Sequence, residues 1–271
     1  MNLRIIVFMH TQHLPTGVTL VPLPAFTDNY IWCFYDSTSC VVVDPGDASV
    51  VETFCRQQSL TLSAILITHH HADHTAGLPK LTRSFPDVKV YGPNNPSISL
   101  INSQLSEGDL IFIESLALEF SVIEIPGHTL DHIGFIGHGG ILCGDTLFSA
   151  GCGRLFEGTP TQMLTSLAKL ANLDGNTNVW CTHEYTLANL AFAQAVEPLN
   201  EDLQQYRRWA KDMRNQDIPT LPTNIKTQKA INPFLRAHTP SVKCAAEEFA
   251  QVALAGELEV FTAVRSWKDN F

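Results

Sequence analysis

From Val18 the apolar residues fall into short, β-branched and aromatic runs separated by turn residues, the pattern of strand after strand. Val18–Pro24, Asn29–Tyr35 and Cys40–Val43 are predicted strands, and Asp44-Pro45-Gly46-Asp47 closes the third. The spacing predicts a helix over Val50–Gln58, a strand over Ala64–Ile67, a helix over Leu78–Ser84 and a strand over Val88–Tyr91. Leu110–Ile113 and Leu118–Ile125 follow as strands, with Glu119 and Glu124 at solvated positions. Ile133–Ile136 and Ile141–Cys143 read as a hairpin through His138-Gly139-Gly140. Gln162–Leu173 is a helix with Thr159 or Thr161 as its cap, and Asn178–Cys181 a strand. Beyond residue 186 only helical periodicity is left, in Leu187–Val196, Glu201–Gln216 and two further helices after the Ile231–Arg236 loop. The expected organisation is α+β: a short extension over 1–17, a β-rich domain over 18–185 and a helical domain over 186–271.

One strand end stands apart from this pattern. Thr68-His69-His70-His71-Ala72-Asp73-His74-Thr75 sets four imidazoles and a carboxylate directly after the apolar Ala64–Ile67. Packing gives no reason for such a set, and α/β proteins place their sites at the carboxyl ends of strands. Along extended backbone His69 and His71 point the same way, so they converge on one point, while Asp73 and His74 aim at a second. Imidazole with carboxylate suits zinc, iron or manganese. His70 points away from His69 and His71 and reads as a bystander.

Other apolar strands also end in ligand types. His128 sits in Pro126-Gly127-His128-Thr129, Asp145 in Gly144-Asp145-Thr146, and His183 in Thr182-His183-Glu184-Tyr185. Each alone is an ordinary polar turn residue. Taken with the His-rich stretch, three imidazoles plus a carboxylate make one site. Asp73, His74 and His183 can make another, and Asp145 has two oxygens with which to bridge. His10, His13, His138 and His238 take the ordinary structural reading, and His132 a place behind the ligands. Two such metals supply a water-derived nucleophile at neutral pH and polarise a carbonyl, which is hydrolytic chemistry. No G-x-S-x-G elbow or P-loop competes.

Composition narrows the partners. The 271 residues are 45% apolar and 16% charged, ample for a core, and the net charge of −10 argues against a nucleic-acid binder. Seven scattered cysteines, without a C-x-x-C pair, fit reduced thiols and a cytoplasmic location. No apolar run approaches the roughly 20 residues that span a bilayer, and residues 5–9 are too short for a signal-peptide core. A monomer without membrane contact is expected.

The ligand residues, with several further pieces, resemble the metallo-β-lactamase superfamily, and within it glyoxalase II, the hydroxyacylglutathione hydrolases. The further pieces are Pro24-Ala25-Phe26-Thr27-Asp28-Asn29-Tyr30, Val43-Asp44-Pro45-Gly46-Asp47, Phe148–Gly158, Cys181–Thr186 and Asn232-Pro233-Phe234-Leu235-Arg236. The resemblance runs from about Val18 to Phe271 and implies an αββα sandwich with a C-terminal helical domain. It implies two divalent metals, zinc first and iron or manganese as alternatives. His69, His71 and His128 would hold one, Asp73, His74 and His183 the other, and Asp145 would bridge them as the catalytic carboxylate, with Asp44 and His132 behind the ligands. It also implies a glutathione thioester substrate, typically S-D-lactoylglutathione, giving glutathione and D-lactate. Arg154, Phe156, Tyr185 and Arg236 would line the substrate site, with the guanidiniums on carboxylates.

The chain departs from that pattern at three places. Phe156 stands where some members have Tyr, Thr239 where some have Lys, and Asp131 where the second Gly of Gly-His-Thr-x-Gly-His is usual. His238, Arg265 or Lys268 are candidate replacements for the missing cation. The alternatives to thioester hydrolysis are a mononuclear-iron persulfide dioxygenase, another hydrolase on the same fold, and a metal-binding scaffold without activity.

Overall fold

The computed structural model describes residues 11–271. Of the expected extension, residues 1–10 lie outside the described residues. Gln12–His13 (β1) already belong to a sheet, pairing antiparallel with Leu20 and Thr19. The chain divides into two compact units, one comprising the described residues up to Glu124 with Asp131–Gly144, the other Ile125–Leu130 with Asp145–Phe271.

The first unit holds a seven-stranded sheet in sequence order: β1, Thr19–Ala25 (β2), Asn29–Tyr35 (β3), Ser39–Val43 (β4), Thr61–Leu66 (β5), Lys89–Pro93 (β6) and Ser103–Leu105 (β7). β1 to β4 are antiparallel; β4 to β7 are parallel. The switch falls where Ala48–Gln58 (α1) carries the chain from β4 to β5, as a parallel pair requires. Asp47 caps α1 by accepting from Ser49 N at 2.8 Å. Ala72–Thr75 (α2) and Leu78–Ser84 (α3) connect β5 to β6. β3 is buried along nearly its whole length because both faces of the sheet are covered. On one face Val51, Phe54 and Cys55 of α1 and Leu78 and Leu81 of α3 pack on Val21, Leu23, Ile31, Cys33 and Val42. On the other, Phe34 meets Phe120 edge-on at 5.6 Å.

Phe120 belongs to a second, antiparallel meander of Leu110–Ile113 (β8), Leu118–Glu124 (β9), Ile133–Gly137 (β10) and Gly140–Gly144 (β11). The predicted β10–β11 hairpin turns at His138 and Gly139, both at positive φ (52° and 79°), the two-residue turn that matches strand twist. Nε2 of His138 accepts from Glu119 N at 3.1 Å, and burial holds its pKa below the usual value.

The second unit carries two small strand pairs, Leu147–Phe148 (β12) with Gly151–Cys152 (β13) and Asn178–Cys181 (β14) with Thr223–Asn224 (β15). The rest is helical: Pro160–Ala171 (α4), Thr186–Val196 (α5), Glu201–Arg214 (α6), Ile225–Ile231 (α7), Pro240–Ala250 (α8) and Glu257–Asp269 (α9). α4 starts at the first of its two candidate caps: Thr159 and Gln162 form a capping box. Aromatic rings hold the helical end together, with Phe192 on Phe234 at 6.0 Å and Phe249 on Trp267 at 5.1 Å. Among the described residues no helix is long and apolar enough to cross a membrane.

Candidate metal centre

In the first unit the site follows from strand register. β4 and β5 are parallel with Val43 beside Leu66, so the residues that follow them, Asp44 and Thr68, emerge side by side. Asp44 accepts from Thr68 N at 2.8 Å and from Thr68 Oγ1 at 2.7 Å, and its Oδ2 lies 3.1 Å from Nδ1 of His74. The Thr68 hydroxyl gives its proton to Asp44, so at 3.0 Å its oxygen accepts from Nδ1 of His69. His69 thereby carries the proton on Nδ1 and a lone pair on Nε2, the tautomer a metal needs, and the Asp44 carboxylate beside Nδ1 of His74 favours the same tautomer there. One buried carboxylate orients two imidazoles, one directly and one through a hydroxyl.

The lone pairs are spaced as a cation requires. Nε2 of His69 lies 3.1 Å from Nδ1 of His71, while two ligands on a tetrahedral zinc at ordinary bond lengths lie about 3.3 Å apart. Nε2 of His74 is 3.4 Å from Oδ2 of Asp73, too long for a good hydrogen bond and right for neighbouring ligands. Asp73 is held by Asn29 Nδ2 at 3.0 Å. His132 lies flat against His69, with ring centres 4.6 Å apart.

Gly46 is dictated by this arrangement. A Cβ there would run into the carbonyl of Asp73, so only glycine lets the Asp44–Asp47 turn lie against the ligand helix.

The second unit holds its own set. Oδ2 of Asp145 lies 3.5 Å from Nε2 of His128 and 3.4 Å from Nε2 of His183, so one carboxylate oxygen stands between two imidazole nitrogens. The Arg154 carbonyl accepts from Nδ1 of His128 at 2.8 Å, which again leaves Nε2 with its lone pair. Gly153 is required here, because a Cβ would strike the Asp145 carbonyl. Tyr185 stacks on His183 at 4.6 Å and stays partly exposed, and the exposed Phe156 sets its edge on His128 at 5.3 Å.

The substrate-site candidates divide. Arg154 is on the surface beside Asp269, with Nε 3.4 Å from its carboxylate. The loop behind it is pinned from three sides: Asn232 donates to the carbonyls of Phe148 and Gly151, Gln228 accepts from Ala150 N, and Arg265 donates to the Cys152 carbonyl. Arg236 is committed elsewhere. It grips Glu197 with both Nε (2.7 Å) and Nη2 (2.9 Å), and Ser241 adds a third bond to that carboxylate. Burial raises the Glu197 pKa, but the Arg236 and Ser241 bonds outweigh it and hold the group below its ordinary value of 4.5. Among the candidate replacement cations, Lys268 lies over the rings of Phe192 and Phe271 and is pulled below the usual lysine range by burial, and Arg265 is buried. No local pattern points to Glu197, which lies 39 residues from its partner.

Replacing Arg236 by Lys keeps the charge but loses the two-pronged grip, and a cost of about 2 kcal/mol in denaturant unfolding is expected. A folded-state pKa below the unfolded one stabilises at higher pH. The difference between the native chain and Glu197→Gln should therefore be full above pH 4.5 and shrink as pH falls through the folded-state value. A difference that grows in acid would contradict the pairing.

Two family models account for most of the chain: one described as the Metallo-beta-lactamase superfamily matches residues 27–183, and one described as the Hydroxyacylglutathione hydrolase C-terminus matches 184–271. A hydroxyacylglutathione hydrolase of Photobacterium profundum is 49% identical over 256 residues, covering 94% of this chain and 100% of the relative. That of Vibrio parahaemolyticus is 50% identical over 250 residues, covering 92% and 98%. The chain belongs to the hydroxyacylglutathione hydrolase family. The αββα sandwich with helical C-terminus expected from the sequence is the fold of this hydrolase family. A solved structure, ETHE1 from Myxococcus xanthus, shares that fold with a TM-score of 0.62 at 22% identity, over 93% of this chain and 97% of that one.

Proposed function

We propose that this hydrolase cleaves glutathione thioesters, converting S-D-lactoylglutathione and water to glutathione and D-lactate, the closing step of methylglyoxal removal. The observation that carries the reading is near-full-length identity to hydroxyacylglutathione hydrolases, together with imidazoles whose Nε2 lone pairs are fixed by Asp44, Thr68 and the Arg154 carbonyl. On this reading His69, His71 and His128 would hold one divalent ion and Asp73, His74 and His183 a second, with the Asp145 carboxylate shared between them. Zinc is the first candidate by ligand type, with iron or manganese next. When bound, such ions bring the pKa of a coordinated water to about 7 and polarise a carbonyl.

The remaining tasks fall to the chain itself. Asp145 holds Oδ2 between His128 and His183, so the imidazoles and the carboxylate need no rearrangement to serve together. Tyr185 stacks its ring on His183, and Arg154 offers a guanidinium to a glutathione carboxylate. Phe156 lines the same edge with an apolar ring. Arg236, paired with Glu197, supports the helical substrate-binding region over 186–271 from within. None of the seven cysteines forms a disulfide, and the sulfurs of Cys40 and Cys55 stay unbonded at 3.4 Å.

The test is a panel of glutathione and non-glutathione thioesters, with metal content measured on the same sample. Preferential hydrolysis of glutathione thioesters at two metal equivalents is expected. Equal rates on thioesters lacking glutathione, or oxygen uptake with glutathione persulfide in place of hydrolysis, would overturn the reading. Arg154→Met should raise KM about tenfold and leave kcat within about twofold, as loss of one charged contact outside the reacting bond predicts. A fall confined to kcat would remove Arg154 from substrate binding.

A further inference from the structure

His70 stands between two proposed ligands and Asp131 one residue before His132, and neither has a place in the chemistry above. The structure joins them. Nδ1 of His70 lies 2.9 Å from Oδ1 of Asp131, and Oδ2 of Asp131 accepts from Asn95 Nδ2 at 2.7 Å. Asn95 is fixed in turn, because its own Oδ1 accepts from Ser97 N at 2.9 Å and Ser97 Oγ at 2.8 Å, which turns the amide nitrogen toward Asp131. Both oxygens of Asp131 are thus engaged, in a side chain only 10% exposed.

Three segments meet at this carboxylate: the loop after β5 through His70, the loop after β6 through Asn95, and the turn before β10 through Asp131. The turn grips the ligand loop at two further points. Ile133 N donates to the Thr68 carbonyl at 2.9 Å, and His132 stacks on His69. Side chains 68, 69 and 70 are each tied down on the side away from the lone pairs. An isolated exposed pair would count for little. Here the pair sits in a shared three-way network, and what it fixes is the backbone between His69 and His71, whose ring nitrogens lie 3.1 Å apart.

We propose that Asp131, oriented by Asn95, is a positioning residue of the metal centre: through His70 it holds the His69–His71 loop at cation spacing. His70 is then no bystander. The usual family pattern has Gly where this chain has Asp131, so the carboxylate is not part of that pattern. The proposal rests on the reading of His69 and His71 as metal ligands.

The test uses metal-stripped full-length chain: native, Asp131→Ala, His70→Ala, the double variant and Asp131→Asn. Cobalt(II) affinity is measured by competition with a chromophoric chelator, with the cobalt absorption spectrum and the melting temperature of the metal-free chain recorded alongside. Each alanine variant should weaken cobalt binding 10- to 100-fold, as is usual for groups behind metal ligands, and alter the spectrum. The double variant should be no worse than the poorer single one, since both remove the same contact. Asp131→Asn, which can accept from His70 only by turning its own amide nitrogen toward Nδ2 of Asn95, should lie between native and Asp131→Ala. Should Asp131→Ala fail to fold, His70→Ala carries the same comparison. Affinities within twofold of native, fully additive losses, or a fall in melting temperature with unchanged affinity and spectrum would each overturn the bracket alone. A native chain that takes up no cobalt would overturn the ligand reading, and the bracket with it.

Discussion

Replacing Asp145 by Ala is expected to lower thioester turnover by more than about a hundredfold, beyond the range seen when only groups behind metal ligands are removed. The reason is its position. A single oxygen lies 3.4–3.5 Å from two imidazole nitrogens, contacts that suit ligand neighbours better than hydrogen bonds. Removing the carboxylate takes away the only anionic group that this unit places between His128 and His183 among the contacts described above. Two divalent ions held close together repel strongly, and a shared anion offsets that repulsion. Metal content should fall below two equivalents in the same variant. Asp145→Asn keeps the shape without the charge and should lie between. Full activity with full metal content in Asp145→Ala would sink the bridging role.

Asp44→Ala should cost about 3–5 kcal/mol of stability, because two buried donors (Thr68 N and Thr68 Oγ1) lose their acceptor together, at about 1–3 kcal/mol each, and Nδ1 of His74 loses the carboxylate beside it. Asp44→Asn separates stability from chemistry. The backbone there is left-handed, with φ 52°, a conformation that Asn accepts. The amide can place its oxygen where Oδ1 accepts from Thr68 N, or where Oδ2 meets both Thr68 Oγ1 and Nδ1 of His74, but not at both. The first arrangement leaves both imidazoles without their anchor, and the second sets an N–H against the Thr68 backbone N–H. Metal affinity should drop about 10- to 100-fold in Asp44→Asn while most of the stability is kept. Denaturant unfolding of the metal-free chain and metal competition measure the two effects separately. An Asn variant with native affinity would show that Asp44 is structural only.

The proposed ligands stood out in the sequence because each breaks a local pattern: an apolar strand has no packing reason to end in His, Asp and His again. What holds them stood out less. Asp44 read locally as a turn residue and took a place behind the ligands only through the family resemblance, since its neighbours at 68 and 74 come together only when β4 and β5 pair in parallel. Gly46 read as punctuation, yet the backbone of Asp73 is what requires it. β7 is a polar Ser-Gln-Leu that becomes a strand by pairing with β6, with no periodicity of its own. Two-residue strands such as β12, β13 and β15 leave no period to read. Arg236 was legible as a cation in a recognisable motif, but its partner Glu197 was not, because an ion pair across the fold leaves no local signature. His70 shows the converse: pointing away from the lone pairs made it look idle, and that direction is where Asp131 lies.

Asp269 has a consequence for how an anion reaches the Arg154 loop. One of its oxygens is shared, 3.4 Å from Nε of Arg154 and 2.9 Å from Nη2 of Arg265. The Arg154 contact is at the surface and therefore weak, while Arg265 is buried and keeps its hold. On the proposed reading, a substrate carboxylate arriving at Arg154 replaces a carboxylate already there. Entry is then an ion exchange. The loop passes its guanidinium from an internal placeholder to an incoming one, and the last helix keeps that cation occupied between turnovers.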